Sequence, residues 1–320
     1  MPQVRVNGTR LHYERHGRGE PLLLITGFTI SSAVFEPVLD AYGRRFECIV
    51  YDNRGSGRSD SPLRPTSMAE LASDAAALLG ALGMDSAHAY GLSMGGMIAQ
   101  ELAIRFPERV RGLVLGGTTP GGPRAARPTL RELQALGAAA AGGWRDGERS
   151  WLARWLFSDE FRQAHPERVR ELLALFGRHR ATPQGVWAHW WASVYHDTVS
   201  RLGEIRAPTL VLHGERDAMA PISNARLLAA RIPDAELVIV PRAGHAYMLE
   251  RPQASLELLT GWLDRRGPIA AGAPRGGLAA RAEPVTRALG LHIGAARTGA
   301  SLAGLISDKV RRRRPHVASE

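Results

Sequence analysis

Between residues 87 and 103 the chain passes from an apolar, strand-like run, Ala87-His88-Ala89-Tyr90, through Gly91-Leu92-Ser93-Met94-Gly95 into a helix-like run, Met97-Ile98-Ala99-Gln100-Glu101-Leu102-Ala103. No other stretch constrains the fold as tightly. A strand gives way to a helix over so few residues only through a sharp turn. Such a turn holds a serine hydroxyl out at the top of a sheet, with backbone N–H groups beside it. Glycine at 91 and 95 fits this geometry, because a side chain at either place would crowd the turn. The G-x-S-x-G pattern alone is weak, with about 0.2 matches expected by chance from the Gly and Ser frequencies of this chain, so its weight comes from context.

The context repeats. Val4-Arg5-Val6 and Leu11-His12-Tyr13, joined through Asn7-Gly8, read as a hairpin. Short apolar strands follow at Pro21–Ile25, Phe46–Tyr51, Ala87–Tyr90 and Arg111–Leu115, with helical segments near 32–42, 67–82 and 94–105 between them. Ser67 with Glu70 three residues on forms a capping box at the second helix, and Gly83 ends it. Two-sided apolar strands alternating with helices predict an α/β fold, a mainly parallel sheet with helices on both faces. The alternation stops at the Gly- and Pro-rich run 116–123 and resumes with strands at 208–214 and 236–240. Residues 1–122 and 207–266 are therefore read as one core, and 123–206 as a helical cap inserted into it. That insertion carries six of the seven tryptophans: Trp144, Trp151, Trp155, Trp187, Trp190 and Trp191. They serve either as a cap core packed on the sheet or as the lining of an apolar ligand pocket.

Residues 267–320 differ in composition. A Gly/Pro/Ala-rich linker leads to a weak helical stripe, about Glu283 to Val310, and then to Arg311-Arg312-Arg313-Arg314. This tail holds nine basic and three acidic residues, so it carries +6 of the chain's net +10 and leaves the body near +4. The basic balance is thus poor ground for nucleic-acid binding. The tail reads as a solvated charge run, with weak peripheral contact to anionic membranes as the functional alternative. No run of about 18 apolar residues predicts a membrane-crossing helix, and Met1-Pro2-Gln3-Val4-Arg5 has no apolar signal core. The single cysteine, Cys48, lies in an apolar run and reads as a buried structural thiol. These features together predict a cytoplasmic protein. Neither a metal-ligand cluster nor a G-x-G-x-x-G turn is present, so no metal and no cofactor are expected. Oligomeric state is not readable.

A serine nucleophile needs a general base, and the base needs an acid to orient it. The strand at 208–214 runs into Glu215-Arg216-Asp217, and the strand at 236–240 into Pro241-Arg242-Ala243-Gly244-His245. Both follow the serine in chain order, at the strand ends where open α/β sheets keep their sites. Ser93, Asp217 and His245 are therefore the candidate catalytic residues, with Glu215 as the competing acid. The oxyanion needs two donors: the backbone N–H of Met94, after the nucleophile, and one from the loop Thr26-Gly27-Phe28-Thr29, assigned to Phe28.

Several runs resemble the α/β-hydrolase superfamily: Thr26-Gly27-Phe28, Tyr51 to Asp60, the turn at Ser93, His213-Gly214-Glu215-Arg216-Asp217, and Gly244 to Pro252. The resemblance covers residues 4–266 and is strongest toward capped esterase and lactonase-like enzymes such as 3-oxoadipate enol-lactonase. It implies an α/β-hydrolase fold and hydrolysis of a small-molecule carboxylic ester or lactone through an acyl-enzyme on Ser93. It also implies that Asp52, Arg54 and Ser56 brace a structural loop. Serine rather than aspartate at residue 93 sets the chain apart from dehalogenase and epoxide hydrolase relatives. Many relatives have His-Gly in the oxyanion loop, where this chain has Thr26-Gly27. The same triad also suits an acyltransferase, a cofactor-free haloperoxidase-like perhydrolase, or a ligand-binding protein with a vestigial triad.

Overall fold

Strand pairing organises the molecule. In a computed structural model, which describes residues 2–126, 150–272 and 292–294, nine strands form one sheet in the order β1-β2-β4-β3-β5-β6-β7-β8-β9. The strands are β1 (Gln3–Val6), β2 (Thr9–Gly17), β3 (Glu20–Ile25), β4 (Phe46–Tyr51), β5 (Ala87–Leu92), β6 (Val110–Gly116), β7 (Thr209–Gly214), β8 (Ala235–Val240) and β9 (His292–Gly294). From β4 to β8 all neighbours are parallel, while the β1–β2, β2–β4 and β8–β9 pairs are antiparallel. The hairpin turn expected at Asn7-Gly8 forms with both residues at positive φ, 47° and 75°.

The helices cover both faces. They are α1 (Glu36–Tyr42), α2 (Met68–Ala81), α3 (Met94–Arg105), α4 (Trp151–Leu156), α5 (Asp159–Ala164), α6 (Pro166–Phe176), α7 (Pro183–Val194), α8 (Ile222–Arg231), α9 (Tyr247–Glu250) and α10 (Pro252–Arg266). The segment expected as one helix over 32–42 divides into a 3₁₀ turn, Ser32–Phe35, followed by α1, whose second residue is Pro37. Only half of the capping box forms at α2. Ser67 Oγ accepts from the Glu70 N–H, but the Glu70 carboxylate accepts instead from Arg54, Arg64 and Thr66. One core lies against α1 and α10, with Tyr42, Tyr90, Tyr247 and Trp262 at its centre. The other lies against α2, α3 and α8. Cys48 is fully buried in the first, and burial pushes its thiol up to about 12.

Between β6 and β7 the described residues form helices α4 to α7; Trp144 lies outside the described residues. Within the stripe read as helical over 283–310, the described residues His292–Gly294 are instead a strand paired with β8. The Arg311–Arg314 run lies outside the described residues. No helix among the described residues is long and apolar enough to cross a membrane.

The topology creates one crevice. After β3 the chain crosses to β4 on one side, then returns to β5 on the other, so the loops after β3 and β5 diverge at the same sheet edge. The β3–β5 register pairs Ile25 with Gly91 and so sets the two strand ends level. The β7–β8 register pairs Gly214 with Val240 and sends the next two loops to the same edge.

Candidate active site

The turn after β5 is sharp. Ser93 has φ 57° and ψ −121°, a conformation that costs a non-glycine residue about 1–3 kcal/mol and persists only where the surroundings enforce it. Here they do. Ser93 N–H donates to Gly116 O at 2.8 Å, and Ser93 O accepts from Gly96 N–H at 2.9 Å and Thr118 Oγ1 at 2.7 Å. The glycines permit backbone contact: a Cβ on Gly91 would sit 2.1 Å from Gly95 O, and one on Gly95 would sit 2.1 Å from Ile25 O. Neither neighbour is a side chain that could swing away. Met94 is the first residue of α3, where N–H groups have no acceptor within the helix.

Gly27 packs directly on Ser93: a Cβ at 27 would lie 3.3 Å from Ser93 Cβ and 3.8 Å from Ser93 Oγ. The Thr26-Gly27 departure is accommodated by Asn53, whose side-chain amide donates to Thr26 Oγ1 at 3.1 Å and to Thr26 O at 3.3 Å. The loop from Asp52 to Asp60 is braced within itself and against Ser32 and α2. Asp52 accepts from Ser32 N–H and from Arg58, Arg54 pairs with Asp74 and Glu70, and Ser56 Oγ donates to Asn53 O.

Asp217 and His245 meet at the ends of β7 and β8. His245 Nδ1 lies 2.8 Å from Asp217 Oδ2, and both side chains are buried. Asp217 Oδ1 accepts the N–H groups of Met219 and Ala220, each at 2.8 Å. Burial alone would raise the Asp217 carboxyl, but the charge and hydrogen bond of His245, with help from His213 and the Ala220 N–H, hold it below the usual carboxylate range. Nδ1 is thereby committed to the carboxylate, which leaves Nε2 as the ring atom for proton transfer. Glu215, the competing acid, instead accepts from the Arg242 N–H at 2.9 Å.

Ser93, His245, Gly27, Phe28 and Thr29 share one cavity of about 70 Å³. Among the described residues the rest of its wall is apolar: Ile30, Val34 and Leu92 from the core, Leu152, Leu156 and Phe176 from between β6 and β7, and Met219 and Ala246 beside Asp217 and His245. None of the insertion's tryptophans, which the sequence leaves open between cap core and pocket lining, is among these residues. Trp151 and Trp155 pack edge-to-face, while Trp187, Trp190 and Trp191 stand partly exposed on α7. α4 and α6 present aliphatic residues and Phe176 to the cavity instead.

Three residues near the site were not singled out from the sequence. His213 Nε2 donates to Ala220 O at 2.9 Å and lies 3.4 Å from Asp217 Oδ2; burial pushes its pKa down. Glu250, buried, accepts from Gly244 N–H at 2.8 Å, Ser158 N–H at 2.9 Å and Ser158 Oγ at 2.8 Å. It thus ties the loop carrying His245 to the start of α5, and Ala246 N–H donates to Leu156 O beside it. His189 on α7 touches the loop after β3. His213 and Glu250 stand inside the runs already quoted at the strand ends, where position gave a usable signal. His189 had none, since its partners are 135 and 160 residues away.

The family model for the alpha/beta hydrolase fold matches residues 20–252. A provisionally named carbamate hydrolase, RutD, of Azorhizobium caulinodans is 30% identical over 262 residues, covering 82% of this chain and 98% of its own. Among solved structures, a thermophilic esterase from Thermogutta terrifontis aligns with a TM-score of 0.69 and 28% identity, over 83% of this chain and 99% of its own. The enol-lactonase from Burkholderia xenovorans LB400 aligns with a TM-score of 0.72 and 25% identity, over 82% of this chain and 100% of its own. The sheet order, the strained serine turn and these alignments agree: the chain belongs to the alpha/beta hydrolase fold family.

Proposed function

We propose that this protein is a serine hydrolase that cleaves a carboxylic ester or lactone through an acyl-enzyme on Ser93. The observation that carries the reading is the buried His245–Asp217 pair opening onto the same cavity as Ser93. Ser93 Oγ attacks the carbonyl carbon while His245 Nε2 takes its proton. The tetrahedral oxyanion is held by the N–H groups of Met94 and Phe28. Loss of one such donor costs about 3–4 kcal/mol of transition-state stabilisation. The carbon–oxygen bond breaks, and His245 returns the proton to the leaving alkoxide. Water then attacks the acyl carbon with His245 again as base, and the acid leaves as Ser93 recovers its proton. Asp217 holds the imidazole in the Nδ1–H tautomer throughout and stabilises the imidazolium.

We propose further that the insertion over 123–206 acts as a cap and that the apolar cavity houses an uncharged, short aliphatic acyl group. Support comes from the wall: among the described residues no charged side chain other than the triad's own lines it, and burying an unpaired charge there would be costly. The names of the relatives, a carbamate hydrolase, an esterase and an enol-lactonase, agree with attack at an acyl carbon. The test is turnover of p-nitrophenyl esters and lactones, with fluorophosphonate labelling mapped by mass spectrometry. Ser93→Ala is expected to lose both label and turnover; retention of either rejects the mechanism.

A further inference from the structure

His189 lies on α7, in the insertion, and is fully buried. Its two ring nitrogens face two different loops of the core. Nδ1 lies 3.1 Å from the backbone nitrogen of Thr29, in the loop after β3, and Nε2 lies 2.7 Å from the carbonyl oxygen of Arg54, in the loop after β4. A backbone N–H can only donate and a carbonyl can only accept. The ring must therefore accept at Nδ1 and donate from Nε2, so the neutral Nε2–H tautomer alone satisfies both. Burial pushes the ring down to about 4, which keeps it neutral.

What the ring holds is strained. Thr29 is β-branched and has φ 59°, a conformation such residues rarely adopt. It directly follows Phe28, and the Phe28 ring meets His189 edge-on, with centroids 6.1 Å apart. The platform beneath His189 is firm. α7 approaches the 54–55 backbone so closely that a Cβ on Gly185 would lie 1.9 Å from Gly55 O. The Thr182 hydroxyl that caps α7 also bonds Ser61 at 2.7 Å.

We infer that His189 is a positioning residue, a two-ended fastener from the insertion that holds the oxyanion loop in its strained form and so aims the Phe28 N–H. The inference rests on the reading of Phe28 as an oxyanion donor. It assigns to α7 a part in the chemistry rather than only in covering the cavity. Misplacing a catalytic group by about 1 Å costs about 10²-fold in rate, so the expected effect falls on kcat.

Two variants separate the two ends of the ring. In His189→Asn the amide oxygen falls near the Nδ1 place and continues to accept from Thr29, while the Arg54 bond is lost. In His189→Gln the amide nitrogen reaches the Nε2 place and continues to donate to Arg54, while Thr29 loses its acceptor. Wild type is first shown to turn over a p-nitrophenyl ester and to take a fluorophosphonate label at Ser93. If it does neither, the hydrolase reading itself fails, and this inference with it. If it does both, His189→Gln is expected to lose kcat by about 10²-fold with KM within about threefold, and a boronic acid inhibitor is expected to bind weaker in parallel. His189→Asn is expected to keep kcat within about fivefold at a comparable melting temperature. Equal losses in the two variants, or a greater loss in His189→Asn, would overturn the positioning role while leaving the hydrolase reading intact. Because either variant could fold poorly, the wild type supplies an independent measurement. Long-range ¹H–¹⁵N spectra of ¹⁵N-histidine-labelled protein are expected to show His189 as the neutral Nε2–H tautomer, and an Nδ1–H tautomer overturns the proposal.

Discussion

On the proposed mechanism, Asp217→Asn separates the electrostatic role of Asp217 from its packing. The substitution keeps volume and shape in a fully enclosed place. Oδ1 accepts two backbone N–H groups, from Met219 and Ala220. An amide nitrogen turned toward them would set donor against donor, so the asparagine oxygen stays there and its NH₂ faces His245 Nδ1. The imidazole can then bond to position 217 only by accepting at Nδ1, which puts the proton on Nε2. A ring with Nε2–H cannot take the Ser93 proton. The expected loss in kcat is about 10⁴-fold, or about 5.4 kcal/mol at 1.36 kcal/mol per decade, with KM little changed. Stability carries a second signature. The folded carboxyl lies below its usual range, so it contributes stability at pH above the ordinary carboxylate value, and that contribution is lost as pH falls through the lower folded value. Asp217→Asn is expected to lack this acid-side slope. The assays are steady-state ester hydrolysis and urea denaturation as a function of pH, with circular dichroism to establish folding. A folded variant retaining kcat within tenfold of wild type, or the same loss produced by Glu215→Gln, refutes the tautomer argument.

Two further outcomes are expected. Glu250→Ala removes the acceptor shared by three buried donors on Gly244 and Ser158, and is expected to cost about 3 kcal/mol or more by urea denaturation. Burial holds the Glu250 carboxyl above its ordinary value, so the part of wild-type stability it governs falls as pH rises through that raised value, and the variant is expected to lose this slope. Leu152→Ala removes three carbons from the cavity wall and is expected to shift preference toward esters about two carbons longer, at about 2–5 kcal/mol of stability. A series of p-nitrophenyl esters from acetate to laurate measures the shift; an unchanged order of preference means that the cavity does not house the acyl chain.

The sequence by itself determined the local half of this protein. Strand and helix periods, the glycines around Ser93 and the turn at Asn7-Gly8 act over a few residues, so pattern alone reports them, and β3 to β8 appear where those patterns lie. Chain order at strand ends also placed Asp217 and His245, because a parallel sheet sends successive strand ends to one edge. What spans the chain was not legible in it. The sequence left the insertion's tryptophans open between cap core and pocket lining, because helix orientation is set by packing; the cavity is lined by Leu152, Leu156 and Phe176. The unreciprocated Glu70 and the strand at 292–294 were each decided by partners elsewhere in the chain. His189 shows the reason most plainly. Its tautomer and its hold on Thr29 come from two hydrogen bonds to residues 135 and 160 positions away, and a hydrogen bond of that reach leaves no period, cap or spacing in the sequence. Tertiary structure alone brings its donor and acceptor within 3 Å or so of one buried ring.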